Sequence, residues 1–150
     1  MALRIEHRVG VAAPADVIWE LVYQVERWPE WNPLYPEAKG QVAVGATLAL
    51  TEALPGRPRQ AIQPVIVDWE PNSQILWRAG GVLAKCVRYI EIEALSEAGC
   101  IFANGAFFHG VLGEQQAKSH RRAIHQGYEG FGQAVKQYAE RQWAERGGDG

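Results

Sequence analysis

Four kinds of side chain in this chain could do chemistry at a shared site: the guanidinium of Arg88, the carboxylate of Glu52, the imidazoles of His109 and His120, and the thiol of Cys86. Histidine titrates near neutrality, so His109 or His120 could shuttle a proton. Arg88 could hold a developing enolate. Paired with His109, Cys86 would suit a nucleophile and its base. A buried cysteine is ordinarily a small hydrophobe, however, and no third group is evident to orient the imidazole. His7 sits in an apolar row and reads as a core or rim residue. Two cysteines are too few for a disulfide framework, and no Cys and His spacing matches a zinc site, so neither a metal nor a cofactor is expected.

What positions these groups is a set of alternating strands. Residues 3–11 place Leu3, Ile5, His7, Val9 and Val11 on one face and Arg4, Glu6 and Arg8 on the other, a half-buried strand. Residues 12–25 switch to helical period, with Pro14 in the first turn, Asp16 at the positive end of the dipole, and an apolar stripe through Val17, Ile18, Leu21, Val22 and Val25. The run Trp28-Pro29-Glu30-Trp31-Asn32-Pro33 is a stiff connector whose Trp31 is a candidate for a cavity mouth. Six further strands are expected at 38–42, 47–53, 61–69, 74–79, 85–95 and 100–111, broken by Gly and Pro turns and joined as an antiparallel meander. With Leu48 and Leu50 pointing in, Glu52 points in as well, and Arg88 is its natural partner. Ile75 and Trp77 face in, and Arg78 faces out.

The last hairpin fixes which groups meet. A four-residue loop at 96–99 pairs Leu95 with Cys100, Arg88 with Phe107 and Cys86 with His109. It puts Cys86, Arg88, Ile90, Ile92, Ala103, Gly105, Phe107 and His109 on the inner face, while a one-residue change of loop length would reverse that face. Cys86 and Cys100 then lie roughly nine rises of about 3.3 Å apart, which predicts free thiols.

A final helix is expected over 115–146, with a buried stripe through Ala117, His120, Ile124, Gly127, Tyr128, Phe131, Val135 and Tyr138. Its three glycines, Gly127, Gly130 and Gly132, each cost roughly 1 kcal/mol relative to Ala. They read either as allowing a bend or close backbone packing or, at Gly127, as room left above the core for a ligand.

Composition fits one domain over residues 1–146, with 147–150 as a disordered tail. Fifteen basic residues against seventeen acidic, a net charge of −2, give no footprint for nucleic acid. No run reaches the about 18 apolar residues of a membrane span and no signal peptide is visible, so the expected location is cytoplasmic. A homodimer is left open.

Several of these motifs carry a resemblance. They are Ala13-Pro14-Ala15-Asp16-Val17-Ile18-Trp19, Arg27-Trp28-Pro29-Glu30-Trp31-Asn32-Pro33, Val67-Asp68-Trp69-Glu70-Pro71 with Ile75-Leu76-Trp77-Arg78, Phe107-Phe108-His109-Gly110, and Gly130-Phe131 with Ala134-Val135-Lys136. Over residues 3–143 the chain resembles the START-related SRPBCC superfamily, in particular its polyketide cyclase/dehydrase-like members. The resemblance implies an α+β helix-grip fold: a curved seven-stranded antiparallel sheet around a long C-terminal helix, enclosing a hydrophobic cavity. Ala106 stands where a Glu would be expected, and Cys86 where Gly is common, so a carboxylate mechanism at 106 is not implied.

Two functions follow as expectations. One is the binding of a small hydrophobic ligand of lipid, polyketide or aromatic type by Trp31, Leu48, Leu50, Trp77, Ile90, Ile92, Ala103, Phe107, Gly127 and Phe131, with Glu52, Arg88, His109 and His120 orienting its polar end. The other is a cofactor-independent cyclase or dehydratase in the same cavity, with His109, His120 and Arg88 as candidate catalytic residues. An interaction role for the outer sheet face is the third class. The Gly80-Gly81 pair within 78–85 reads as a hinge at the mouth.

Overall fold

The computed structural model describes residues 3–79 and 85–147. The expected hinge at Gly80-Gly81 and residues 148–150 of the tail lie outside the described residues.

The chain opens with β1 (Leu3–Val11), whose Ile5 and Val11 are buried as the alternation requires. Helix α1 (Ala15–Tyr23) follows, with Pro14 extended at its N-cap, Asp16 in its first turn, and Val17, Ile18, Leu21 and Val22 buried. The connector beyond it winds into a 3-10 turn over Val25–Glu30, and Trp28 is driven wholly inside, its indole N–H donating to the Val22 carbonyl at 3.0 Å.

Eight strands are described, in two sheets rather than one sheet of seven. Strands β2 (Glu37–Lys39), β3 (Ala49–Glu52) and β4 (Gln60–Ile62) form a small sheet in that order. Strands β5 (Val65–Glu70), β6 (Gln74–Ala79), β7 (Lys85–Ser96) and β8 (Gly99–His109) join β1 in the order β1-β8-β7-β6-β5. All pairings are antiparallel. The single strand expected over 61–69 is divided at Gln63-Pro64, because proline has no N–H to continue a ladder. The Pro64 carbonyl instead accepts from the Leu48 N–H at 2.8 Å, and Thr47 bridges to Val65, so the two sheets stay stitched together.

The β7–β8 register differs from the expected one. Ser96 pairs with Gly99 and Ala94 with Cys100, so the turn is the dipeptide Glu97-Ala98 and Leu95 is left over as a bulge. From there on Arg88 faces Ala106, Cys86 faces Phe108, and His109 faces Lys85. Strand β7 keeps its expected inner face, with Arg88, Ile90 and Ile92 buried. Strand β8 is turned over: Phe102, Asn104 and Ala106 point inward, while Ala103, Gly105 and Phe107 lie on the outer face beneath Tyr89 and Arg4. There Phe107 packs on Tyr89 with ring centroids 5.5 Å apart, and the Arg4 guanidinium sits 5.3 Å from the Phe107 ring centre.

Strand β8 ends at His109 rather than continuing to 111, because Gly110 takes φ +78°, a conformation costly for any residue with a Cβ. The C-terminal helix is two helices, α2 (Gly110–Ser119) and α3 (Arg121–Glu145), parted at His120. The expected stripe of α3 is buried at Ile124, Gly127, Tyr128, Phe131 and Val135, and the helix packs on β1, β8 and α1. No described helix is long and apolar enough to cross a membrane.

The outer-face packing requires a glycine at one position. A Cβ on Gly105 would stand 2.5 Å from the Ile5 carbonyl oxygen and 2.6 Å from the Tyr89 hydroxyl. Gly105→Ala is therefore expected to cost about 1–3 kcal/mol in urea unfolding, the range for forced overpacking. A loss below about 0.5 kcal/mol would show that β8 is not pressed between β1 and Tyr89 in this way.

Candidate functional site

A cavity of about 510 Å³ opens between the small sheet, the ends of β6, β7 and β8, and the α2–α3 joint. Its floor is the nearly inaccessible trio Trp77, Arg88 and Tyr128. Leu54, Ile62, Cys86, Phe108 and Ala117 make apolar walls, and the exposed Arg57 and Arg59 stand at the mouth with the half-buried His120.

Arg88 governs the floor. Only 2% of its surface is exposed, and burial of a cation is costly unless its donors are met. Nε donates to the Tyr35 hydroxyl at 3.2 Å, Nη1 to the Gly105 and Tyr89 carbonyls at 3.0 and 3.3 Å, and Nη2 to Asn104 Oδ1 at 3.0 Å. The guanidinium also lies 3.9 Å from the centre of the Tyr128 ring. Asn104 in turn donates from Nδ2 to the Tyr128 carbonyl at 3.0 Å, tying the sheet to α3. A guanidinium has five N–H groups, so these four bonds leave one Nη2 hydrogen without a protein acceptor among the described residues. Nor does any described carboxylate oxygen come within 4.0 Å of it.

The expected Glu52–Arg88 ion pair is therefore not direct. Tyr35 stands between them, accepting from Arg88 and donating to Glu52 Oε2 at 3.5 Å. Burial pushes the Glu52 carboxyl above its ordinary range, against the opposing pull of Arg88 and of the Tyr35 hydrogen bond. Burial likewise raises the Tyr35 and Tyr128 phenols. The Cys86 thiol is pushed up to about 11 by burial and then by Glu52, which disfavours the thiolate that nucleophilic attack needs. Both cysteines are free, as expected.

Of the residues singled out by pattern for chemistry or binding, Glu52, Trp77, Cys86, Arg88 and His120 are brought together in this cavity. Leu48, Leu50, Ile90, Ile92 and Phe131 are packed in the core and do not line it. Trp31 lines a different, smaller cleft of about 350 Å³ with Tyr138, between α1 and the end of α3. Ala103 and Phe107 are on the outer face, and Phe108 takes the place expected for Phe107. His109 is exposed at the start of α2, opposite Lys85 and away from Cys86.

The room expected beneath Gly127 is already filled. A Cβ there would come within 2.8 Å of Leu54 and 3.1 Å of Leu34, because the chain after β3 folds these side chains under the helix. Tyr35, Leu54, Arg57 and Arg59 escaped the sequence reading, as all four lie in irregular segments where no periodicity assigns a face. Tyr128 was visible as part of the α3 stripe. Among the described residues no group of three or more His, Cys, Asp or Glu could hold a metal ion.

The polyketide cyclase/dehydrase and lipid transport family matches residues 2–140. No curated protein matches the sequence. Among solved structures the chain is similar to the Zhui aromatase/cyclase from Streptomyces sp. R1128, with TM-score 0.81 and 17% identity over 99% of this chain and 100% of that one. It is also similar to norcoclaurine synthase from Thalictrum flavum, with TM-score 0.72 and 17% identity over 94% and 88% of the two chains. A START superfamily protein from Mycobacterium smegmatis matches with TM-score 0.68 and 17% identity over 93% and 98%. At such identities the likeness is one of fold, the helix-grip arrangement of sheet and C-terminal helix. With its family match extending over nearly all its length, the chain belongs to the polyketide cyclase/dehydrase and lipid transport family.

Proposed function

We propose that this protein binds a small apolar, ring-containing molecule in the 510 Å³ cavity, with a carbonyl or phenolic oxygen of the ligand directed at Arg88. The observation that carries the reading is the buried guanidinium with one N–H unmet among the described residues, at the floor of a pocket whose walls include the apolar Leu54, Ile62, Phe108 and Ala117. Binding an oxygen there would complete the donor set, and hydrogen bonds to charged groups contribute about 1.5–3 kcal/mol. Trp77, Phe108 and Tyr128 supply flat walls that favour rings over flexible chains. The solved complex of norcoclaurine synthase with dopamine and hydroxybenzaldehyde supports an aromatic occupant for this fold.

A second reading is favoured by the Glu52–Tyr35–Arg88 chain. Glu52, drawn toward its protonated form, could give a proton to a ligand oxygen that Arg88 polarises, and His120 could exchange it with solvent, as a cyclase or dehydratase requires. Incubation with a linear poly-β-keto thioester separates the two: an aromatic product that disappears in Glu52→Gln supports turnover, and recovery of unchanged thioester leaves binding alone.

Fluorescence titration with 2-naphthol should give saturable binding at one site. Arg88→Gln should weaken it about tenfold or more. Ile62→Trp, which fills the pocket from the wall, should abolish it with the circular dichroism spectrum retained. Equal affinity in all three proteins would place the probe elsewhere and sink the reading.

A pH dependence of stability follows from Glu52. Its folded pKa is raised above the ordinary 4.5, so across the window from 4.5 up to the folded value the folded state binds more protons than the unfolded one. Stability therefore falls as pH rises through that window. Glu52→Gln lacks this cost and should be the more stable protein at about pH 8, the difference closing below about pH 4. A difference independent of pH in thermal melts would mean that Glu52 is not desolvated.

A further inference from the structure

The cavity's mouth has a charge opposite to that of the chain as a whole. The protein carries a net charge of −2, yet the groups at the entrance are Arg57 and Arg59 from the segment before β4 and His120 from the α2–α3 joint. Arg57 Nη2 lies 3.4 Å from His120 Nε2, so two basic side chains meet there, and neither Arg57 nor Arg59 forms an ion pair among the described residues. Among the described residues the one carboxylate lining the cavity is Glu52, partly buried and hydrogen-bonded to Tyr35. The flanking Gln60 and Gln116 are neutral. Beyond the lining, Lys118, Arg121 and Arg122, all exposed, flank the same joint, against the single acid Glu114 in α2. A concave, low-dielectric opening rimmed by one sign of charge concentrates ligands of the other.

We infer that the cavity's ligand is bipolar: a ring system whose inner oxygen meets Arg88 and whose outer end carries a carboxylate or phosphate held by Arg57, Arg59 and His120. The inference rests on the binding function proposed above. Guanidinium groups suit both anions, since their forked N–H groups match paired oxygens.

Three probes sharing a naphthol end test it in the intact protein: 2-naphthol, 6-hydroxy-2-naphthoate and 6-hydroxy-2-naphthyl phosphate. At low salt the anionic probes should bind about threefold to tenfold tighter than 2-naphthol, the scale expected of one or two exposed ion pairs. That advantage should fall to near onefold in the Arg57→Gln/Arg59→Gln protein and shrink in wild type as salt is raised. Whichever anion shows the larger gain identifies the outer group. If 2-naphthol binds but the anionic probes gain nothing, the outer subsite is overturned while the cavity reading stands. The same follows if they keep their gain in the double variant, which would put the anion at Arg88. If none of the three binds, the binding function falls and this inference with it.

Discussion

The structure depends on the burial of one cation. An arginine 98% removed from solvent would ordinarily be a large liability, and here it is made tolerable by four hydrogen bonds and an aromatic face supplied by separate parts of the chain. Tyr35 comes from the segment before β2, the Gly105 carbonyl and Asn104 from β8, and Tyr128 from α3. None of these can shift without stranding a charge. The cluster therefore ties the β7–β8 register to the position of α3 above the sheet.

The same requirement accounts for what the sequence revealed and what it hid. The α+β class, the leading strand and helix, and the buried stripe of α3 were readable because each rests on a period sustained over many residues, whereas the divisions at Gln63-Pro64 and His120 were not. The inner face of β7 was readable for the same reason. The face of β8 was not, because one unpaired residue, Leu95, reverses it. That residue is 65% exposed and leucine carries no turn signal, so nothing local marks the bulge. The two faces of β8 are also similar in composition: Ile101, Ala103, Gly105 and Phe107 against Phe102, Asn104, Ala106 and Phe108. Only Asn104 breaks the tie. Its amide is fully buried because it serves both Arg88 and the Tyr128 carbonyl, a use that no single-strand pattern can disclose.

For the site, alternation carried Glu52, Trp77 and Arg88 into the cavity, since each follows in register from an apolar neighbour on its own strand. Groups from irregular segments could not be placed that way. Tyr35 lies between two prolines, and Arg57 lies in a Pro-Gly-Arg-Pro-Arg stretch that reads only as a break. Gly127 shows the limit of arguing from absent side chains. A missing Cβ on a buried helix face creates room only if no neighbour moves in, and here Leu34 and Leu54 do.

Where the cavity lies is instead a matter of side-chain size along the C-terminal helices. Beneath the middle of α3, Phe131 meets Trp28, Tyr35 and Phe102 with ring centroids 5.6 to 6.0 Å apart, and no space remains. Toward the preceding helix the inward residues shrink to Ala117 and Gly113, and the facing end of β6 offers Ala79. A sheet long enough to serve the bulky end must stand away from the small end, so a void opens there by default. The break at His120 then turns that void toward solvent, with Arg88 at its inner boundary and Arg57 at its outer one. The gradient from aromatic to small residues along α3 and α2, more than any single glycine, is what leaves this grip unfilled.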